Sequence, residues 1–426
     1  MLDRILELLK TSGADGWEVT DKVAETWEFY LIRHALDQNR VRKTETVSVR
    51  VYKKSEDGKF LGSAGGEIPP TADEKEARRL ISQLLLAASL VKNPVYSLNK
   101  PEEIPGTAAE KADPAEIAGE FLRVLQDLPE TETEDLNSAE IFVSSVRKRF
   151  LNSEGIDLTE EYPSSSLEAV INARRDGKEI ELYRMYNSGT CDREKLLRDL
   201  AETLSVGRDK LIAQPTPALG RADVVFSTVA ARELYTWYIY RLDAQDKYCG
   251  YSDWEIGKPV TEQAEGDKVT VKAVPFLPNS SWNSRFDREG APIRETVILR
   301  DNVPESYHGA QQFCRYLGLE HSFIPSNFTV SGGKRSAEEL RAGNYLEVLE
   351  FSDFQVDTVT GDIMGEIRLG YLHDGDRVIP VSGGSLSGTM DDFVKTIRFS
   401  RETRTYDWAE IPAVTRLTGV KVTGAE

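Results

Sequence analysis

The stretch Phe286-Asp287-Arg288-Glu289-Gly290-Ala291-Pro292, followed by Arg294-Glu295-Thr296-Val297-Ile298-Leu299, sets the reading of the whole chain. Glycine and proline bracket a turn, two carboxylates stand beside it, and the β-branched run that follows has the composition of a strand entering a core. Further on, Asn344 to Asp357 and Asp362 to His373 are β-rich runs separated by Thr358-Val359-Thr360-Gly361, a hairpin connection by composition, which predicts antiparallel pairing. Ile363, Glu366, Arg368 and Gly370 interrupt the second run, so this strand is expected to have one buried and one wet face and to be able to line a groove. Val381-Ser382-Gly383-Gly384-Ser385-Leu386-Ser387-Gly388-Thr389-Met390 reads as a bulged strand and turn, with a ligand-cradling loop as the alternative.

Outward from this stretch, the chain is α+β throughout. Leu2, Ile5, Leu6 and Leu9 share a helical face that ends at Ser12-Gly13. Glu25 to Arg33, Arg42 to Lys53 and Lys59 to Gly66 are β-rich, with Val47, Val49 and Val51 alternating against polar neighbours and Asp57-Gly58 supplying a turn. Thr71-Ala72-Asp73-Glu74 has capping-box spacing, and a helical period follows it to Ala88. Pro94, Pro101, Pro105 and Pro114 punctuate a polar linker. Beyond it come a helix from Ala115 to Leu128, a strand from Ala139 to Leu151, a turn at Asn152-Ser153-Glu154-Gly155, a hairpin about Asp176-Gly177 and a helix from Asp192 to Ala213. Pro215, Pro217 and Gly220 then break the pattern. The expected organisation is an N-terminal α+β region, 1–215, made of a first subdomain (1–98), a linker (99–114) and a middle subdomain (115–215), followed by a β-rich C-terminal domain, 221–426. Largely antiparallel, curved sheets covered by helices are expected in both.

Composition narrows the function. The chain has 426 residues, 40% hydrophobic and 29% charged, enough for two or more cores. With 53 Lys and Arg against 71 Asp and Glu, the net charge of −18 repels phosphate backbones, which argues against direct nucleic-acid binding. No apolar run approaches the roughly 20 residues that cross a bilayer, and charges interrupt the N-terminus, so no membrane segment is expected and a cytoplasmic location is. Cys191, Cys249 and Cys314 have no Cys-x-x-Cys spacing and suggest neither a disulfide framework nor a zinc knuckle. Twelve acids face two bases between Glu102 and Glu140; spread along a helix, they read as a solvated face, with docking of a basic partner as the alternative. There is no P-loop, dinucleotide fingerprint or Gly-x-Ser-x-Gly elbow.

Phe286-Asp287-x-Glu289-Gly290, the segment Asn327 to Leu340 with its glycine pair, Thr360-Gly361-Asp362 and Pro380 to Gly388 occur in an order that resembles the C-terminal region of the TldD/PmbA family, the modulators of DNA gyrase or peptide-maturation proteases. Ala14 to Val19 and Asn152 to Gly155 extend the resemblance toward the N-terminus. In the catalytic branch, the family implies a zinc peptidase with His-Glu-x-x-x-His on a helix and a cysteine near the C-terminus. Imidazole and thiolate would hold the ion, an open position would take water, and the glutamate would accept its proton. The corresponding helix here should follow Asp223-Val224-Val225-Phe226. It reads Ala230-Ala231-Arg232-Glu233-Leu234-Tyr235-Thr236-Trp237-Tyr238-Ile239-Tyr240-Arg241 and has no histidine. His34, His308, His321 and His373 are all more than five positions apart, and Phe399 to Glu426 has no cysteine.

The resemblance therefore points to the PmbA-like (TldE-like) branch: a subunit without catalytic or metal-binding residues or a cofactor of its own, zinc being expected only in a catalytic partner. It would form a homodimer, or a heterodimer with a TldD-like zinc-bearing relative, and handle unfolded or modified peptides, with the C-terminal domain carrying most of the contact. The alternative is a self-contained peptidase or homodimeric peptide-binding protein with a relocated site, for instance His321 converging with Asp287 and Glu289. The aromatics Tyr235, Trp237, Tyr238, Tyr240, Tyr248 and Tyr251 are expected in core and interface packing rather than in a peptide-gripping wall. Asp287, Glu289, Gly290, Gly361, Asp362, Gly383 and Gly384 are the candidate groove or structural-turn residues. Asp287 and Glu289 are expected mainly to hold the turn.

Overall fold

The computed structural model describes residues 1–106 and 112–425; residues 107–111 of the expected linker, and Glu426, lie outside them. The N-terminal half is built on strands β1 (Gly16–Ile32), β2 (Ala35–Lys54), β3 (Leu61–Ile68), β4 (Glu134–Asn152), β5 (Asp157–Arg175) and β6 (Lys178–Ser188). They form one antiparallel sheet in the order β3-β2-β1-β4-β5-β6, in which β1 pairs with β4 from Glu18↔Asn152 to Ile32↔Ser138. Both expected N-terminal subdomains thus contribute to a single sheet.

Two sets of helices cover different stretches of it. Helices α1 (Leu2–Thr11) and α2 (Glu74–Ser89) place Ile5, Leu9, Ala77 and Ile81 on Val19, Val47, Val49 and Val51. Helices α3 (Pro114–Gln126) and α4 (Arg193–Leu211) place Phe121, Val124, Leu200 and Leu204 on Phe29, Ile141, Val143 and Ile171. Each such large side chain gains about 1.5–3 kcal/mol on burial, so the sheet carries two substantial cores. Sequence spacing places a capping box at Thr71, but α2 starts later: Asp73 is the N-cap, and its side chain accepts from the Glu76 N–H.

The C-terminal half contains β7 (Gln214–Pro215), β8 (Gly220–Phe226), α5 (Ala231–Tyr240), α6 (Ala244–Cys249), β9 (Val271–Val274), β10 (Thr296–Arg300), β11 (Val303–Pro304), α7 (Gln311–Tyr316), β12 (Asn327–Val330) and α8 (Ala337–Leu340). It continues with β13 (Tyr345–Val356), β14 (Asp362–Asp374), β15 (Arg377–Ser382), β16 (Ser385–Thr389), α9 (Met390–Phe393), β17 (Arg398–Phe399), β18 (Thr403–Tyr406), β19 (Ala409–Pro412) and β20 (Thr415–Thr423). One sheet runs β11-β10-β9-β12-β19-β18, the other β13-β8-β20-β16-β14-β15-β7. The expected hairpin is present, with β13 and β14 antiparallel from Tyr345↔His373 to Val356↔Ile363. That pairing also closes β13, β8, β20, β16 and β14 into a ring. The ring packs its apolar residues, including Phe226, Leu346, Ile367 and Leu386, into the largest core of the chain.

Strand β14 alternates as the composition implied, but in a different phase. Ile363 and Gly370 are buried, while Met364, Glu366 and Arg368 form the wet face. Ser336 and Glu339 make a reciprocal capping box at α8, which accounts for the polar run after the glycine pair. Among the described residues no helix is long and apolar enough to cross a membrane.

Candidate functional site at the joint between the two halves

The segment that anchors the sequence reading lies where the C-terminal half meets the N-terminal sheet. Phe286 is fully buried against Phe150 and Ile156, and the Lys148 ammonium sits 4.5 Å from the centre of its ring. Just before it, the Ser284 hydroxyl donates to Glu160 Oε1 at 2.6 Å, while Lys148 Nζ reaches the same oxygen at 2.9 Å. Gly290 has φ +76°, and a Cβ there would lie 2.6 Å from the Phe150 ring, so both its backbone and its lack of a side chain are required.

Asp287 and Glu289 are spent on backbone donors. Asp287 Oδ1 accepts from the N–H groups of Glu289 and Ala291 at 2.8 and 3.0 Å, and its Oδ2 accepts from Ile324 N–H at 2.9 Å. Glu289 Oε2 accepts from the Gln311 N–H at 2.7 Å, and its carbonyl accepts from Asn99 Nδ2 at 3.1 Å. The loop thus ties together the chain leaving the first subdomain, helix α7 and the strand-bearing core beyond Ile324. Such N–H donors hold the Asp287 carboxylate in place and occupy most of its acceptor sites.

A third acid, from the other half, lies near them, and no local pattern could have paired it with this loop. Glu18, on β1, is buried and accepts from the Tyr52 hydroxyl at 2.8 Å. Burial and the nearby charge of Glu289 push its carboxyl up to about 7, against the opposing pull of Tyr52 and Arg50. Burial and Glu289 likewise push Asp287 up to about 7, while its three N–H donors act in the opposite direction. Burial, followed by Glu18 and Glu289, raises the Tyr96 phenol as well. The joint is a buried acidic cluster shared by the two halves, in which the proton is favoured. His321 does not converge on it: its exposed ring faces Glu102, with Nδ1 3.9 Å from Oε2.

The remaining candidate glycines and Asp362 lie in other neighbourhoods. Gly361 (φ +75°) ends the β13–β14 turn beside Trp237 and Met390, and its carbonyl accepts from Met390 N–H. Asp362 is exposed, its carboxylate accepting from the Thr360 hydroxyl at 2.9 Å. Gly383 and Gly384 turn the chain from β15 to β16 against the C-terminal strand, where a Cβ on Gly384 would come within 2.3 Å of the Thr423 carbonyl. Close backbone approach explains these glycines.

Helix α5 is where the metal of the family would be expected. Tyr235, Trp237 and Tyr238 are fully buried; Tyr235 shares a hydrogen bond with Thr415 at 2.8 Å, and Trp237 meets Tyr238 and Trp254 edge-on. Tyr240, Tyr248 and Tyr251 remain about half exposed. Glu233 pairs with its neighbour Arg232. At the end of the helix, Arg241 is fixed by the carbonyls of Tyr251 and Val359 and by Asp253, at the wall of a polar cavity of about 390 Å³ also lined by Lys258, Asp391 and Lys395.

One histidine does reach the helix, from a loop that sequence spacing could not connect with it. His308 is buried with Nε2 3.0 Å from the Ile239 carbonyl, and burial pushes its imidazole below the ordinary value despite Asp243 nearby. Cys314, also buried, directs its thiol to the Gly309 carbonyl and is pushed up to about 12. Among the described residues, no three His, Cys, Asp or Glu side chains come together in an arrangement that could hold a metal ion. The donor set of α5 and its surroundings does not fit a zinc centre.

Residues 219–424 match the sequence model of the PmbA/TldA metallopeptidase C-terminal domain. That match covers the C-terminal half of the chain, which carries this family's C-terminal domain. Over its whole length it shares a fold with TldE from Thermococcus kodakarensis, at a TM-score of 0.77 and 15% identity, covering 99% of this chain and 100% of that one. It likewise resembles a putative modulator of DNA gyrase from Thermotoga maritima, with a TM-score of 0.76, 18% identity and coverage of 100% and 99%. An uncharacterized protein of Methanocaldococcus jannaschii is 22% identical over 310 residues, 66% of this chain and 71% of the relative.

Proposed function

We propose that this chain is a non-catalytic, TldE-like subunit of a zinc metallopeptidase that acts on unfolded or modified peptides. A TldD-like relative would contribute the metal and its ligands. The observation that carries the reading is α5: at the place where the family's catalytic branch bears its metal ligands, this chain puts three aromatic side chains into its core. The wet face of β14, with Met364, Glu366 and Arg368, supplies a wall along which an extended peptide can lie.

Zinc analysis and peptide cleavage, alone and with a relative bearing His-Glu-x-x-x-His, test the proposal. The purified chain is expected to hold no stoichiometric zinc and to leave an unfolded peptide intact, while the mixture cleaves it and the two chains co-elute. One tightly bound zinc per chain, lost together with cleavage on His308→Ala, would replace this reading with a self-contained peptidase.

A further inference from the structure

Arg241 closes α5 at the wall of the polar cavity and is only 8% exposed. Its Nη1 donates to the Tyr251 and Val359 carbonyls at 2.7 and 3.3 Å and its Nη2 to Asp253, while the ring centres of Trp237 and Trp254 lie 5.8 and 5.7 Å from its guanidinium carbon. Nε is buried and has no hydrogen-bond partner among the described residues. A buried donor on a charged group is costly to leave without an acceptor, so it marks a place for one. The turn that carries α9 lines the same cavity with Asp391 and Lys395, both exposed and in no ion pair among the described residues. The loop after Trp254 adds Glu255 and Lys258, which pair with each other.

With Arg241 held by Asp253 and Lys258 by Glu255, one carboxylate and one ammonium of the lining are left over. An anion alone would meet Asp391 as well as Lys395, and a cation alone would meet Lys395 and Arg241. The lining therefore matches a small molecule that bears one charge of each sign. Trp254, Val260 and Val394 give the cavity an apolar part beside these charges, the mixture that ordinary ligand pockets use for affinity and orientation. We propose that this cavity binds a free α-amino acid with an apolar side chain, its carboxylate taken by Lys395 and Arg241 Nε and its ammonium by Asp391. The bound molecule fastens the loop after Trp254 to α9. Because Arg241 also holds the Val359 carbonyl, occupancy braces the turn between β13 and β14 as well. The site needs neither a metal nor a second chain, so it stands independently of the peptidase reading.

Calorimetric titration of the full chain with L-leucine tests it. Saturable binding at one site per chain is expected, weaker by about tenfold or more for leucinamide, which lacks the carboxylate, and for N-acetyl-leucine, which lacks the ammonium. Glycine, without the apolar side chain, should also bind about tenfold more weakly. Lys395→Ala and Asp391→Ala should each lower the affinity for leucine about tenfold, whereas Lys258→Ala, already paired with Glu255, should change it little. Thermal unfolding should stay unaltered in these variants, because all three side chains are exposed. No binding of leucine at millimolar concentration overturns the proposal. Equal affinity for leucine and N-acetyl-leucine overturns it in favour of a simple anion site, and an affinity indifferent to Lys395→Ala and Asp391→Ala overturns it too.

Discussion

The loop Phe286 to Ala291 and helix α5 belong to the same C-terminal half, and each carries part of the family's character, yet they are built in opposite ways. The loop is polar: buried Asp287 takes three backbone N–H donors, half-buried Glu289 takes the Gln311 N–H, and both lie near enough to Glu18 of the other half to raise its carboxyl. The helix is aromatic: it presents Tyr235, Trp237 and Tyr238 to the core, and among the described residues its Glu233 joins no cluster of three metal-binding side chains. Residues conspicuous by type, such as paired acids beside a turn, need not be reactive once their lone pairs are taken.

The largest expected effect tests the helix side of this comparison. Trp237→Ala removes a fully buried indole and should destabilise the C-terminal half by about 3–5 kcal/mol in denaturant unfolding, whereas Tyr240→Ala, on the half-exposed side, should stay within about 0.5 kcal/mol. Equal costs would mean that α5 is not packed into the core through Trp237.

On the loop side, Asp287→Asn cannot accept all three N–H donors, because one carboxylate oxygen becomes an NH₂ group facing a donor. A loss of about 1–3 kcal/mol is expected, without change in metal content. Unchanged stability combined with failure to support a partner's cleavage would make the acid functional rather than structural.

The smallest effect is also the most specific. The folded carboxyl of Glu18 is pushed up to about 7 from an ordinary value of 4.5, so the native state retains a proton that the unfolded chain has released between these values. Its contribution is therefore complete below about pH 4.5, falls as pH rises and is lost above about pH 7. Glu18→Gln should match the parent at pH 4 and exceed it by about 1–2 kcal/mol at pH 8, with a flatter dependence between. A parallel pH profile in the two proteins would remove Glu18 from the shared acidic cluster.

Local chemistry made much of the molecule legible. The α1 periodicity, the turn at Asn152 to Gly155 and the β13–β14 hairpin all rest on side-chain period or on glycine and proline, which act over a few residues. The sequence by itself also determined that the segment after Phe226 has no histidine, since composition needs no fold. Other features required contacts across the chain. Residues Ala35 to Val41 show no apolar alternation and become a strand because β1 supplies their hydrogen bonds. Only the tertiary structure could decide that Glu18 feels the charges of Asp287 and Glu289, that β14 closes a ring, and that His308 lies against α5. Burial and electrostatic coupling depend on which surfaces come together, and no local pattern encodes that.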